Sequence, residues 1–234
     1  LSFSIEDGDL VLITGSSGSG KTTIMNLLLN EYQPAIGEII FDDEPLSKIK
    51  RSRLPQHRRK IGVVFQDYKL IEELNVWENI ALPLYIQREK QADIEDRVTD
   101  LLKLVDLVDK ALIFPKQLSG GEAQRISIAR ALATGPSLIF ADEPTGNLDT
   151  KTSDHIINLL AKINQLGTTV IIATHDPLII ERFKTKVVDL VDLQKKVEAQ
   201  PEPETPKEKE EKKAKETVSD TQEEKTKSSK EDAK

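Results

Sequence analysis

Short apolar runs alternate along the chain with stretches in which apolar residues recur every three or four positions. Leu10–Ile13 predicts a short buried strand, and Thr22–Asn30 (TTIMNLLLN) has helical spacing. Ile36–Asp42 predicts a strand after a turn at Pro34, and Lys48–Lys60 a basic, partly helical stretch. Lys60–Phe65 (KIGVVF) predicts a second buried strand, ending at Gln66. From Asn75 to Asp109 the pattern turns helical, and its second half puts Ile94, Val98, Leu101, Leu102 and Val105 on one face. Helix is expected again over Ser119–Ala133, Thr152–Leu166 and Asp176–Phe183. Strands are expected at Ser137–Phe140, Thr168–Ala173 and Val187–Leu190. This alternation predicts an α/β fold with a mostly parallel sheet covered on both faces. The opening LSFSIEDGDLVLITG predicts a strand, a turn at Asp7-Gly8-Asp9 and a second strand, as if the chain began in mid-sheet. An N-terminal strand is therefore expected upstream of Leu1.

A length of 234 residues suits one α/β domain with a small inserted subdomain. Beyond about Ala199 the chain mixes Lys with Glu and has almost nothing apolar. Ordering a residue costs about 1–2 kcal/mol of backbone entropy, and such a segment has no core to offset it. The expected division is a globular domain over 1–195 and a disordered charged tail over 196–234. No apolar run approaches the roughly 18 residues that span a bilayer, and no signal peptide is recognisable. A soluble or membrane-peripheral chain is expected. The absence of cysteine fits a reducing compartment. A net charge of −7 argues against nucleic acid as the main partner. The basic run KIKRSRLPQHRRK has no interleaved aromatic residues for base stacking, so it reads as a solvated helix face or a surface near anionic lipid.

The candidate chemistry is more specific. Gly15–Thr22 (GSSGSGKT) fits G-x-x-x-x-G-K-[ST] between a predicted strand and a predicted helix. Such a loop turns backbone N–H groups inward around phosphates. The expected cradle takes in Gly15, Ser16, Ser17, Gly18, Ser19, Gly20, Lys21, Thr22 and Thr23. Lys21 can reach the β- and γ-phosphates, and Thr22 can offer its hydroxyl to Mg²⁺. Asp142 ends an apolar strand, with Glu143 next to it. Taken alone, such a pair is as good a helix cap as a metal site. With the loop upstream, Asp142 becomes a Mg²⁺ candidate and Glu143 a candidate base for the attacking water. Gln66 and His175 also follow predicted strands. His175 alone could be a structural hydrogen-bonder or a γ-phosphate contact. In open α/β sheets ligands bind at the carboxyl ends of strands, so Lys21, Gln66, Asp142 and His175 are expected to share one edge. A second anion site is suggested by QLSGGE, where Ser119, Gly120 and Gly121 stand at the front of a helix.

Together these pieces resemble the nucleotide-binding subunit of an ABC transporter. The matching stretches are GSSGSGKT, Gln66, LSGGE (Leu118–Glu122), LIFADE, GNLD ending at Asp149, and His175, in the family's order. The resemblance implies a P-loop NTPase fold with an antiparallel β edge subdomain and an inserted helical subdomain at about 72–118. It implies an ATPase that uses ATP and Mg²⁺, with Gln66 joining Thr22 and Asp142 around the metal. Glu143, His175 and Gln66 would be the catalytic residues. It also implies an ATP-dependent homodimer in which Ser119, Gly120 and Gly121 of one copy cap the γ-phosphate held by Lys21 of the other. Asp149 would reach across that interface. VVFQDYKLI and EPTGNLD resemble the branch serving cell division and the export of lipoproteins, peptides or drugs. That branch works at the cytoplasmic face of the plasma membrane with a separate integral membrane subunit. By analogy Tyr68, Leu70, Trp77 and Leu82 would lie near that subunit, although Trp77 and Leu82 are equally read as core. Two departures are visible: Ala123 stands where many relatives have Gln, and VDLQKKVEAQ follows the last strand in place of a Gly-centred hairpin.

Overall fold

The computed structural model describes residues 1–183 and 185–198. In chain order the elements are β1 (Leu10–Thr14), α1 (Lys21–Leu28), β2 (Ile40–Phe41), β3 (Glu44–Pro45), α2 (Leu54–Arg59), β4 (Ile61–Val64), α3 (Val76–Gln87) and α4 (Gln91–Leu104). They continue with α5 (Gly120–Leu132), β5 (Leu138–Asp142), α6 (Thr150–Gln165), β6 (Thr169–Thr174), α7 (Pro177–Arg182), β7 (Lys186–Asp189) and α8 (Leu190–Glu198). Leu1–Gln194 is one compact unit, and Lys195–Lys234 is a second, described only as far as Glu198.

The apolar runs form a parallel sheet in the order β4-β5-β6-β1-β7. Side chains alternate across a strand, so each strand feeds both faces. Leu12, Val64, Ile139, Ala141, Val170 and Ile172 point into one core with α3, α4, α5 and α6. Val11, Ile13, Leu138, Phe140, Ile171 and Ala173 point into the other, where Met25 of α1 meets them. The expected face of α4 is buried, from Ile94 through Val105. Asn75 and Glu78 form a reciprocal capping box that starts α3, and Arg88 ends it in the left-handed region at φ 60°. Register then brings Thr14, Asp142 and Thr174 to one edge, with Thr14 opposite Thr174 and Asp142 opposite Ala173.

Several expectations are corrected. Residues 1–6 carry no strand, because a strand exists only through a paired neighbour and none pairs with them among the described residues. The turn at Asp7-Gly8 is present, with Asp9 N–H donating to the Glu6 carbonyl at 3.1 Å. The strand expected over 36–42 shrinks to Ile40–Phe41, paired antiparallel with Glu44–Pro45, and Ile36 stands 95% exposed. The basic run folds into two 3-10 turns and α2. Its cations are partly engaged: Arg53 with Glu44 at 2.9 Å, Lys60 with Asp42 at 2.6 Å, and Arg58 Nε with the Leu29 carbonyl at 3.0 Å. The last described helix, Leu190–Glu198, is capped at its start by Asp189 Oδ1, which accepts from Val191 and Asp192 N–H. Of the tail expected over 196–234, residues 199–234 lie outside the described residues.

Candidate functional site

The loop from Gly15 to Gly20 leaves β1 and enters α1 through glycines that other residues could not replace at two points. Gly15 has φ 156°, and a Cβ there would stand 2.4 Å from Ser19 Oγ. Gly20 caps α1 in the left-handed region at φ 101°. Ser16, Ser17 and Gly18 are exposed at the loop tip, as are Thr22 and Thr23 at the start of α1. Ser19 Oγ is buried with no hydrogen-bond partner, an unspent donor in the loop wall. Lys21 folds back beneath the loop, 7% exposed, and its Nζ donates to the Gly15 and Ser16 carbonyls at 2.8 and 3.2 Å. The same ammonium lies 3.2 Å from Glu143 Oε1.

Glu143 follows β5 with φ 47°, a left-handed value unusual for a residue with a long side chain. Its Oε1 also meets His175 Nδ1 at 2.7 Å. Lys21, Glu143 and His175 therefore share one carboxylate oxygen. Beside them Thr22 Oγ1 donates to Asp142 Oδ2 at 2.7 Å. Gln66 lies with the loop after β5: Nε2 is 3.5 Å from Asn147 Oδ1, and Asn147 Nδ2 is 3.4 Å from the Gln66 carbonyl. A Cβ on Gly146 would stand 2.7 Å from Gln66 Nε2. A cleft of about 390 Å³ opens next to Glu143 and His175, walled by Thr145, Leu148, Thr150 and Ser153.

The second glycine cluster is organised separately. Ser119 and Glu122 form a capping box at the start of α5: Glu122 N–H donates to Ser119 Oγ at 3.3 Å, and Ser119 N–H to Glu122 Oε2 at 2.8 Å. These bonds from Ser119, with Lys110 at 3.5 Å, hold the Glu122 carboxyl below its usual value despite partial burial. Asp149 caps α6, accepting from Thr152 N–H at 3.0 Å and Thr152 Oγ1 at 2.6 Å, and its carboxyl is lowered by those two bonds. The caps touch: a Cβ on Gly121 would meet Thr152 Cγ2 at 2.3 Å, and one on Gly120 would meet Tyr68 Oη at 2.8 Å. The bonds of Ser119 stay within its own helix start.

Two kinds of group follow from this geometry. Lys21 and the glycine loop fit a polyphosphate, since an ammonium bonded to two neutral carbonyls beside a single carboxylate oxygen gains by exchanging those carbonyls for charged oxygens. Thr22 and Asp142 are hard oxygen donors already in contact, the type Mg²⁺ takes. Among the described residues no cluster of three or more His, Cys, Asp or Glu side chains could hold a metal unaided.

Sequence reasoning missed Asn147, Thr152 and Arg130. Arg130 Nη1 and Nη2 donate to the Lys69 and Tyr68 carbonyls at 2.7 and 2.9 Å. A lone cation in the otherwise buried stretch ISIARAL was the signal for it.

Residues 1–146 match the family described as ABC transporter. The chain is 45% identical over 192 residues to the cell division ATP-binding protein FtsE of Bacillus subtilis (strain 168), covering 82% of this chain and 84% of that protein. It is 41% identical over 192 residues to FtsE of Escherichia coli (strain K12), covering 82% and 86%. Among solved structures it is similar to a dimeric post-hydrolysis state of the ATP-binding cassette MJ0796 bound to ADP and Pi. The TM-score is 0.68 at 40% identity, over 76% of this chain and 79% of that one. Fold, motifs and relatives agree: the chain belongs to the ATP-binding domain family of ABC transporters and is an ATPase of that kind.

Proposed function

We propose that this chain is the ATP-hydrolysing subunit of an FtsE-like complex, acting in cell division with an FtsX-like integral membrane subunit. The carrying observation is the Lys21–Glu143–His175 cluster at the carboxyl edge of the sheet, in a chain whose relatives are named FtsE. Among the described residues no helix is long and apolar enough to cross a membrane. Attachment to the cytoplasmic face of the plasma membrane would then run through the partner. Leu70 and Trp77, partly buried against the helical core, would lie near that contact with Tyr68 and Leu82.

The reaction is displacement at the γ-phosphorus of ATP by water, breaking the bond to the β–γ bridging oxygen. Residues Gly15 to Thr23 bind the phosphates through backbone N–H groups, and Lys21 exchanges its carbonyl partners for β- and γ-oxygens. Thr22 and Asp142, with help from Gln66, would hold Mg²⁺, which would supply positive charge to the phosphates. When Lys21 turns to phosphate, Glu143 is freed to orient the attacking water and take its proton. His175, already bonded to Glu143, keeps that carboxylate aimed and can donate to the γ-phosphate.

One copy leaves this site incomplete. Ser119 bonds within its own helix start, while Gly120 packs against Tyr68 and Leu148 and Gly121 against Thr152 of the same chain. A second copy, turned head to tail, brings its Ser119 and Gly121 to the γ-phosphate on Lys21, with Asp149 at the interface. The similar dimeric MJ0796 cassette supports that arrangement. The test is gel filtration of Glu143→Gln with and without Mg-ATP. An ATP-dependent dimer is expected, and a protein that stays monomeric with ATP bound overturns the split site.

A further inference from the structure

Arg130 lies on α5, 11 residues beyond Ser119, which is roughly 16 Å along a helix rising 1.5 Å per residue. Its guanidinium is held by the Tyr68 and Lys69 carbonyls, and burial pulls it below its ordinary value. A cation placed there costs desolvation, which the two carbonyls partly offset. The two residues it grips are unusual in their own right. Tyr68 and Lys69 are consecutive left-handed residues, at φ 61° and 50°. Such conformations persist only where the surroundings over-determine them.

The gripped turn touches both halves of the candidate site. Two residues earlier Gln66 lies against Gly146 and Asn147. The Tyr68 hydroxyl stands 2.8 Å from where a Cβ on Gly120 would be. The segment 66–69 thus has one end against the loop that follows Glu143, where Gly146 N–H donates to the Glu143 carbonyl, and α5 holds the other end at two points.

We infer that Arg130 is a positioning residue: its two-pronged grip on the Tyr68–Lys69 turn makes the loop carrying Gln66 and the start of α5 move as one body. Nucleotide bound at Lys21 is thereby felt at Ser119 and Gly121. This deepens the split-site reading and rests on it. The grip needs two donors in a fixed fork, so lysine is a poor substitute.

The first measurement is amide exchange in the full chain with and without Mg-ATP. In the parent protein nucleotide should alter exchange at 66–70 and at 119–123. In Arg130→Met it should still alter 15–23 but no longer 119–123. The second measurement is dimerisation of Glu143→Gln. Adding Arg130→Met should weaken the ATP-dependent dimer about tenfold, with nucleotide affinity held within about twofold. Adding Lys69→Gly should not restore the loss, because glycine accepts the left-handed turn but makes no link to α5. Where Arg130→Met fails to fold, Arg130→Lys carries both tests with a smaller loss. Unchanged coupling between 15–23 and 119–123 in the Arg130 variant overturns the inference. So does a dimer defect that Lys69→Gly repairs, since relief of a strained turn, and not a link to α5, would then be what Arg130 supplies. If Glu143→Gln itself never dimerises, the split site falls, and the exchange experiment still decides the role of Arg130.

Discussion

Glu143 holds Lys21 and His175 on a single oxygen, with its backbone in a left-handed conformation. Replacing it by glutamine keeps the shape and removes the base. Glu143→Gln should lower phosphate release by about 10²–10⁴-fold while leaving ATP bound. Lys21→Ala should abolish binding of a fluorescent ATP analogue, because the loop then has no cation for the phosphates. Gly121 illustrates a tighter constraint. Gly121→Ala puts a methyl group 2.3 Å from Thr152 Cγ2, and Thr152 is pinned through its hydroxyl to Asp149. The variant should be destabilised in urea unfolding by about 1–3 kcal/mol, and Thr152→Ser, which keeps the hydroxyl and deletes the methyl, should recover most of it. Lys21, Glu143 and His175 were legible from motif spacing. Thr152 and Arg130 were not, because nothing local marks a side chain whose importance lies in a contact 31 or 61 positions away.

At the scale of one element, α5 shows how a single sequence serves two purposes. Ser119 and Glu122 close a reciprocal cap that satisfies N–H groups with no partner inside the helix. Ser119→Ala should cost about 0.5–2 kcal/mol of stability, measured by denaturant unfolding. The depressed Glu122 carboxyl fixes the pH dependence. Its contribution is fully present above the ordinary glutamate range and is lost as pH falls through the lower folded-state value. Stability of the parent protein should therefore drop in acid more steeply than that of Glu122→Gln, read from urea midpoints across the acid range. The S-x-x-E spacing of this cap stands in the sequence. The α8 cap was less visible, since Asp189 ends a strand and only the fold turns its carboxylate toward Val191 and Asp192.

For the whole molecule, the proposed split site makes hydrolysis a property of pairs. Specific activity should fall as the protein is diluted below the dimerisation range. Ser119→Arg should bind ATP normally yet fail to turn it over. Lys21→Ala and Ser119→Arg, each inactive alone, should recover activity when mixed, because a mixed dimer holds one site with both an intact lysine and an intact signature. Phosphate release from the mixture is the measurement, and no recovery would mean that each chain acts by itself.

The sequence by itself determined the alternation of buried strands and helices, the phosphate loop and the order of the motifs. These are local: strand and helix periods, a glycine spacing, an acid after an apolar run. Only the tertiary structure decided which strands are neighbours, and so that Glu143, 122 positions from Lys21, shares an oxygen with His175. It alone trimmed the strand expected at 36–42 to two paired residues and carried helix through Glu198. The reason is that hydrogen-bonded pairing and side-chain contact are relations between distant segments, and chain periodicity encodes the face a residue presents but not the partner that meets it.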